Sequence, residues 1–368
     1  LSCGFELAKR GASVAVLDRT QPGTGASGVA AGMLAPVTEA EFGEESLLEL
    51  NLTSARLWPE FETELAQFSN AATGYSESGA LVVAIDRDDL QQLRRLHDFQ
   101  SRLGLECEWL SARQCRKLEP GLSPRIAGGV LAPRDHQVDP RRTVSALVQG
   151  LEAVGGTLRT ETCVTEIETS AEQVVGVRDA NGGLIQGACV VMAAGCFSGQ
   201  VRGLEHTVGA LLRPVKGQIL RFSGPPAPSV CGRLVRTPRC YVVNRSDGEV
   251  VIGATMEERG FDTSVTAGGL FGLLEAGREV LPDVDELEFR QATAGLRPGS
   301  PDNAPVIGPD GSLDGLIWAS GHHRNGVLLA PLTAKLVSEL AMGGSNAAMA
   351  NAFSPRRFES MLEAGVNR

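Results

Sequence analysis

Positive charge is scarce in this chain of 368 residues: 34 Lys and Arg stand against 44 Asp and Glu, a formal net charge of −10. Nucleic acid and anionic membrane surfaces attract cationic proteins, so neither is an expected partner, while a local cationic pocket stays compatible with the total. No apolar run approaches the length of a membrane span and no signal peptide is visible, which points to a cytoplasmic or equivalent reducing compartment. The eight cysteines (Cys3, Cys107, Cys115, Cys163, Cys189, Cys196, Cys231 and Cys240) contain no C-x-x-C pair and no His/Cys metal spacing. Several lie in apolar strand-like runs, so free buried thiols and no bound metal are expected. Internal repeats and low-complexity tracts are missing as well.

Glycine, by contrast, is plentiful at 44 residues, which fits tight turns and close backbone approaches. The most informative turn lies near the C-terminus, in Gly321-His322-His323-Arg324-Asn325-Gly326-Val327-Leu328-Leu329-Ala330-Pro331. An apolar run from Gly315 to Ser320 reads as a buried strand leading into it, and a helical pattern follows from Val327 to about Met342. This arrangement aims unpaired backbone N–H groups and the positive end of a helix dipole at one point, where a ligand that becomes anionic is stabilised. A reduced flavin ring is such a ligand. An ordinary strand-to-helix turn is the competing reading.

The first segment decides the fold. Leu1 to Arg10 predicts a short helix ending at Gly11, and Ser13 to Leu17 a buried strand closed by Asp18. In a dinucleotide-binding βαβ unit an acidic residue in that place hydrogen-bonds the adenosine ribose. The first strand and Gly-rich turn of such a unit would precede Leu1, so the chain is expected to be a fragment lacking them. Gln21 to Pro36 is a loop of small residues whose amides can approach a pyrophosphate, with Thr24 and Ser27 adding hydroxyl donors.

Further on, helices are expected over 47–68 (with Trp58 packing in the core), 86–103 behind an Asp86 cap, 140–153 and 266–280. Strands are expected over 79–85 and 157–167, in a hairpin turning at Asn181-Gly182-Gly183, and from Cys189 to Ala194 with a ligand-type turn at Gly195. Residues from about Arg213 to Glu258 look antiparallel, whereas parallel-type strands fall at both chain ends and around Val164 and Val190. The pattern predicts an α/β (α+β) fold. Residues 1–74, 135–205 and 290–368 would form a discontinuous Rossmann-like cofactor domain, interleaved with a mostly antiparallel substrate domain of residues 75–134 and 206–289.

Arg297, in Ala294-Gly295-Leu296-Arg297-Pro298-Gly299, is a lone cation at an apolar strand end. It needs a partner, either a substrate carboxylate held bidentately or a structural carboxylate. Tyr241, one of only two tyrosines, is a second candidate carboxylate donor or a satisfied core group. Met256 either lines a small apolar pocket or packs in the core.

Taken together, Gly25-Ala26-Ser27, Ala31-Gly32-Met33-Leu34-Ala35, Arg213-Pro214-Val215-Lys216-Gly217-Gln218, Gly253-Ala254-Thr255-Met256, Gly295-Leu296-Arg297-Pro298 and Gly321 to Pro331 are specific in their order and spacing. Across essentially the whole chain they resemble the FAD-dependent D-amino-acid oxidase superfamily, and within it the glycine oxidases of the thiamine pathway. The resemblance implies that Asp18 and Arg19 contact the adenosine part of FAD and that Val164 holds the adenine side through its backbone. Ala26, Ser27, Ala31, Gly32 and Met33 would line the pyrophosphate and flavin. Gly195 would contact the cofactor, and His322, His323, Arg324, Asn325, Gly326, Val327 and Leu328 would wrap the ring.

Arg297 would bind the substrate carboxylate with help from Tyr241, with Arg324, Met256 and Met33 completing the substrate site. The implied reaction is oxidation of glycine, sarcosine or D-alanine to the imine, by hydride transfer to the flavin, with O2 reduced to H2O2. It requires no protein base at the α-carbon, so no catalytic side chain beyond the flavin is expected. The alternatives are a related amine flavoenzyme of the sarcosine oxidase or D-amino-acid dehydrogenase type, or a non-catalytic relative that uses the fold for binding. The imine would feed thiazole synthesis or hydrolyse. A homo-oligomer is the expected assembly, the tetramer being the form common among such relatives. One departure from the family pattern is Arg239, which stands where several relatives carry a histidine.

Overall fold

Five sheets organise the chain in the computed structural model, which describes residues 1–226, 230–344 and 351–366. Residues 227–229, inside the stretch expected to be antiparallel, lie outside those described. The largest sheet has eight strands and draws on two distant parts of the sequence. Its order is β16 (Glu288–Gly299), β12 (Arg213–Ser223), β15 (Glu249–Gly253), β14 (Tyr241–Asn244), β13 (Leu234–Arg236), β3 (Ala80–Ala84), β5 (Gly128–Ala132) and β4 (Glu108–Ser111). Every neighbouring pair is antiparallel except β13 with β3, the join between the two parts. β3 reads Ala-Leu-Val-Val-Ala and is buried at all five positions, as expected of a strand covered on both faces. Helix α7 (Ala267–Val280), N-capped by Thr266, lays Leu273, Ala276 and Val280 on this sheet against Leu220 and Ile252.

Parallel pairing appears elsewhere. β1 (Ala15–Leu17) pairs with β7 (Thr157–Arg159), and β11 (Val190–Met192) with β18 (Leu316–Ser320), which also takes β17 (Val306–Pro309) antiparallel. Around them pack α1 (Ser2–Lys9), α3 (Glu45–Leu65), α6 (Pro140–Ala153) and α8 (Ala330–Ala341). Trp58 on α3 is a core residue, buried with Phe5, Phe61 and Leu147. The cap read from sequence holds, since Asp86 accepts the amides of Asp88 and Asp89, and the structure adds a second, Asp139, which accepts those of Arg141 and Arg142.

Four expectations change. The strand at Val164 is not parallel: β8 (Val164–Ser170), β9 (Gln173–Asp179) and β10 (Leu184–Gln186) form an antiparallel meander. Two residues, Ala171 and Glu172, join β8 to β9 with φ of 51° and 66°, and so tight a turn can only send the chain back antiparallel. The loop from Gln21 to Pro36 contains a one-turn helix, α2 (Ala26–Val29), and β2 (Met33–Leu34), which pairs with β6 (His136–Gln137). The C-terminal helix starts at Ala330 rather than Val327, because a 3-10 turn over His323–Asn325 comes first. Cys115, Cys196, Cys231 and Cys240 are buried free thiols, whereas Cys163 and Cys189 are exposed. Among the described residues there is no group of His, Cys, Asp and Glu fit to hold a metal, and no helix is long and apolar enough to cross a membrane.

Candidate active site

A cavity of about 1570 Å³ runs between the parallel strands and the large sheet. Strand ends and glycine turns build one part of its wall. The Asp18 amide bonds the Arg159 carbonyl, and the Asp18 carbonyl accepts from Thr162, so the end of β1 is fixed beside the start of β8. Asp18, Arg19, Val164 and Gly195 all face the cavity there, with the Arg19 guanidinium 3.5 Å above the Phe197 ring. Gly23 to Ser27 and Ala31 to Met33 continue the wall. Gly32 has φ +84°, and a Cβ on it would lie 1.9 Å from the Val138 carbonyl oxygen, so only glycine fits.

The turn after β18 forms the next part. His322, His323, Arg324, Gly326 and Val327 line the cavity, whereas Asn325 and Leu328 do not. Leu328 is only 2% exposed and packs beside Trp58 in the core. Its carbonyl accepts from Ser54 Oγ at 2.7 Å and Trp58 Nε1 at 2.9 Å. Among the described residues the amides of Gly326, Val327 and Leu328 have no carbonyl partner. The two histidines diverge. His322 Nε2 is 3.0 Å from Thr333 Oγ1 on α8, while His323, with φ +47°, sits in the field of Arg297, Arg324 and Arg213. Burial pushes both imidazoles down to about 4, and for His323 the three guanidiniums add to the effect.

At the large sheet, Arg297 donates to the carbonyls of Lys216 at 3.3 Å and Thr255 at 3.2 Å and has no carboxylate partner among the described residues. Gly217 makes room for it, since a Cβ there would meet the guanidinium at 2.3 Å. Tyr241 borders the same space. Burial raises its phenol pKa, with the Arg297 charge pulling the other way. Met256 is neither core nor deep pocket: it is 63% exposed, at the cavity rim. Arg324 is ion-paired with Glu44 at 2.8 Å and Glu41 at 3.0 Å, and Arg239 with Glu275 and Glu279.

Within the loop read as able to approach a pyrophosphate, one regularity escaped the sequence reading. Gly23-Thr24-Gly25-Ala26-Ser27-Gly28 has the literal spacing of a phosphate-binding glycine turn, follows strand β1 and opens α2. A scan for the pattern at any position would have found it.

The model for proteins described as FAD dependent oxidoreductase matches residues 1–340. The chain belongs to this family. FAD is its cofactor, and the cavity fits FAD by its own chemistry: a Cβ on Gly25 would meet only open space, and Gly326 and Val327, whose amides have no carbonyl partner among the described residues, line the void. The oxidoreductase is of the amino-acid oxidase type. It is 33% identical to glycine oxidase of Geobacillus kaustophilus over 339 residues, covering 92% of this chain and 88% of that one. The crystal structure of glycine oxidase from Geobacillus kaustophilus superposes with a TM-score of 0.89 at 31% identity, covering 96% of this chain and 94% of the other. A bifunctional protein ThiO/ThiG of Trichormus variabilis is 32% identical over 362 residues, 98% of this chain and 53% of the longer relative.

Proposed function

We propose that this oxidoreductase oxidises glycine and other small primary or secondary amino acids, sarcosine and D-alanine among them, with O2 as acceptor. Arg297 carries the reading. A half-buried guanidinium with only two long bonds to carbonyls is poorly compensated, and a substrate carboxylate completes it bidentately. The Tyr241 hydroxyl, bonded to no other group among the described residues, donates to the same carboxylate. Met33 and the rim residue Met256 bound the remaining space, and Arg324, held by Glu41 and Glu44, stands at the substrate's amino end or beside its carboxylate. The relatives named glycine oxidase support the choice of a small substrate.

FAD held there would supply two-electron redox chemistry, as hydride acceptor from the α-carbon and donor to O2, which would leave as H2O2. The chain's own residues position and polarise. The Gly326 and Val327 amides stabilise negative charge at the cavity wall, and Arg297, with no carboxylate of its own, holds and orients the substrate carboxylate. Both histidines stay neutral at pH 7, so neither adds a charge that competes with the substrate. The imine then hydrolyses to the 2-oxo acid and ammonia, or passes to thiazole synthesis.

The deciding experiment is the visible spectrum of the FAD-loaded protein under anaerobic glycine. A flavin band that bleaches and returns with air supports the reading, while one that ignores glycine, sarcosine and D-alanine overturns it. In the same assay Arg297→Ala is expected to raise KM at least about 100-fold with FAD still bound. Unchanged turnover at low glycine would remove Arg297 from the substrate site.

A further inference from the structure

Behind the cavity wall, three arginines from three separate elements converge on the carbonyls of Gly28 to Ala31. Arg141, at the start of α6, donates from Nε to the Gly28 carbonyl at 2.8 Å. Arg221, in β12, donates from Nη2 toward the carbonyls of Gly28, Val29 and Ala30 at 3.4, 3.5 and 3.2 Å. Arg245, between β14 and β15, donates from Nη2 to the Ala31 carbonyl and from Nη1 to that of Val138, both at 2.9 Å. Arg221 and Arg245 are 2% and 6% exposed and share Glu249, at 2.9 and 2.7 Å. Asp139 lies 3.6 Å from Arg245. Burial lowers the Arg221 pKa against the opposing pull of Glu249, and the charges of Arg141 and Arg245 push the same way as burial, which shows how closely the cations crowd.

Burying such a cluster is a poor way to gain stability, since apolar packing of equal volume usually does as well or better. What the cluster provides is direction. A peptide unit is planar and trans, so its C=O and the following N–H point opposite ways. Drawing the Ala30 carbonyl toward Arg221 turns the Ala31 amide away from it, and drawing the Ala31 carbonyl toward Arg245 does the same to the Gly32 amide. Ala31 and Gly32 both line the cavity, and neither amide has a protein acceptor among the described residues. Three guanidiniums against the carboxylates of Glu249 and Asp139 also leave one positive charge behind this wall.

We propose that Arg221, Arg245 and Arg141 are positioning residues that hold the Ala31 and Gly32 amides toward bound FAD and place a net positive charge behind them, tightening the cofactor and favouring its reduced form. The proposal rests on the FAD-dependent family and not on which amino acid is oxidised, so its test uses no substrate. Apoprotein is titrated with FAD and the flavin midpoint potential is measured for Arg141→Gln, Arg221→Lys and Arg221→Met. The two milder variants are expected to fold, because Arg141 is exposed and Lys keeps the charge of Arg221.

Both milder variants should weaken FAD binding at least about fivefold, with the apoprotein melting temperature little changed. Arg221→Met, which also removes the charge, should move the potential to more negative values than Arg221→Lys does. If it does not fold, the comparison of Arg141→Gln with wild type carries the potential test, with the same sign expected. FAD affinity and potential unchanged in folded Arg141→Gln and Arg221→Lys, within about twofold, would overturn the proposal. So would a lower melting temperature with unchanged FAD affinity, which marks a merely structural cluster.

Discussion

At the scale of single residues, the pH behaviour of the site follows from three buried groups of opposite sign. His322 and His323 are held near 4 by burial, against an ordinary 6.5. Between these values the unfolded chain binds protons that the folded chain refuses, so stability is complete above 6.5 and is lost as pH falls toward 4. Asp135 opposes them. Its carboxylate accepts the amides of Val37 and Thr38 at 3.0 and 2.7 Å, but full burial raises its pKa to about 6. Its contribution is complete below 3.8 and is lost as pH rises through 6.

Each group is worth up to roughly 3 kcal/mol by its shift, so two histidines outweigh one aspartate and the net slope favours neutral pH. Melting temperature measured from pH 4 to 7 should rise, and His323→Asn should flatten that rise. An unchanged slope would mean the imidazole is not neutral in the folded state. Arg297 and Tyr241 could be singled out beforehand, one as a lone cation at an apolar strand end and the other as one of only two tyrosines, and the structure puts both on the cavity wall. Arg221 and Arg245 could not be, because a buried arginine and a surface one look alike until the sheet places Glu249 between them.

At the scale of elements, helix α3 and the turn after β18 meet at one atom. Ser54 and Trp58 both donate to the Leu328 carbonyl, fixing the turn whose neighbours Gly326 and Val327 line the cavity. Trp58→Phe keeps most of the packing and removes one donor, so it should lower stability by about 1 kcal/mol. Denaturant unfolding reads this directly, and no change would mean that Ser54 alone satisfies the carbonyl. The helices were legible from their apolar spacing, with the Asp86 cap announcing one start, while the caps Asp139 and Thr266 emerged only in the structure. The direction of β8 was hidden in a turn of Ala171 and Glu172, which carries none of the Gly or Asn chemistry by which such turns are usually read.

At the scale of the whole molecule, the cavity joins the two sets of strands, and ligand binding there should stabilise both. A hundredfold excess of FAD over its dissociation constant should add about 2.7 kcal/mol, and melting temperature should climb with FAD concentration. A melting temperature indifferent to FAD would place the cofactor elsewhere. The walls of this cavity are contributed by stretches as far apart in sequence as Leu1 and Met342. A chain emerging from the ribosome therefore has no cofactor site until β18 has paired with β11 and the turn at His322 is made. Flavin uptake should come late in the life of the nascent polypeptide, and a flavin colour would report that β18 has been fitted.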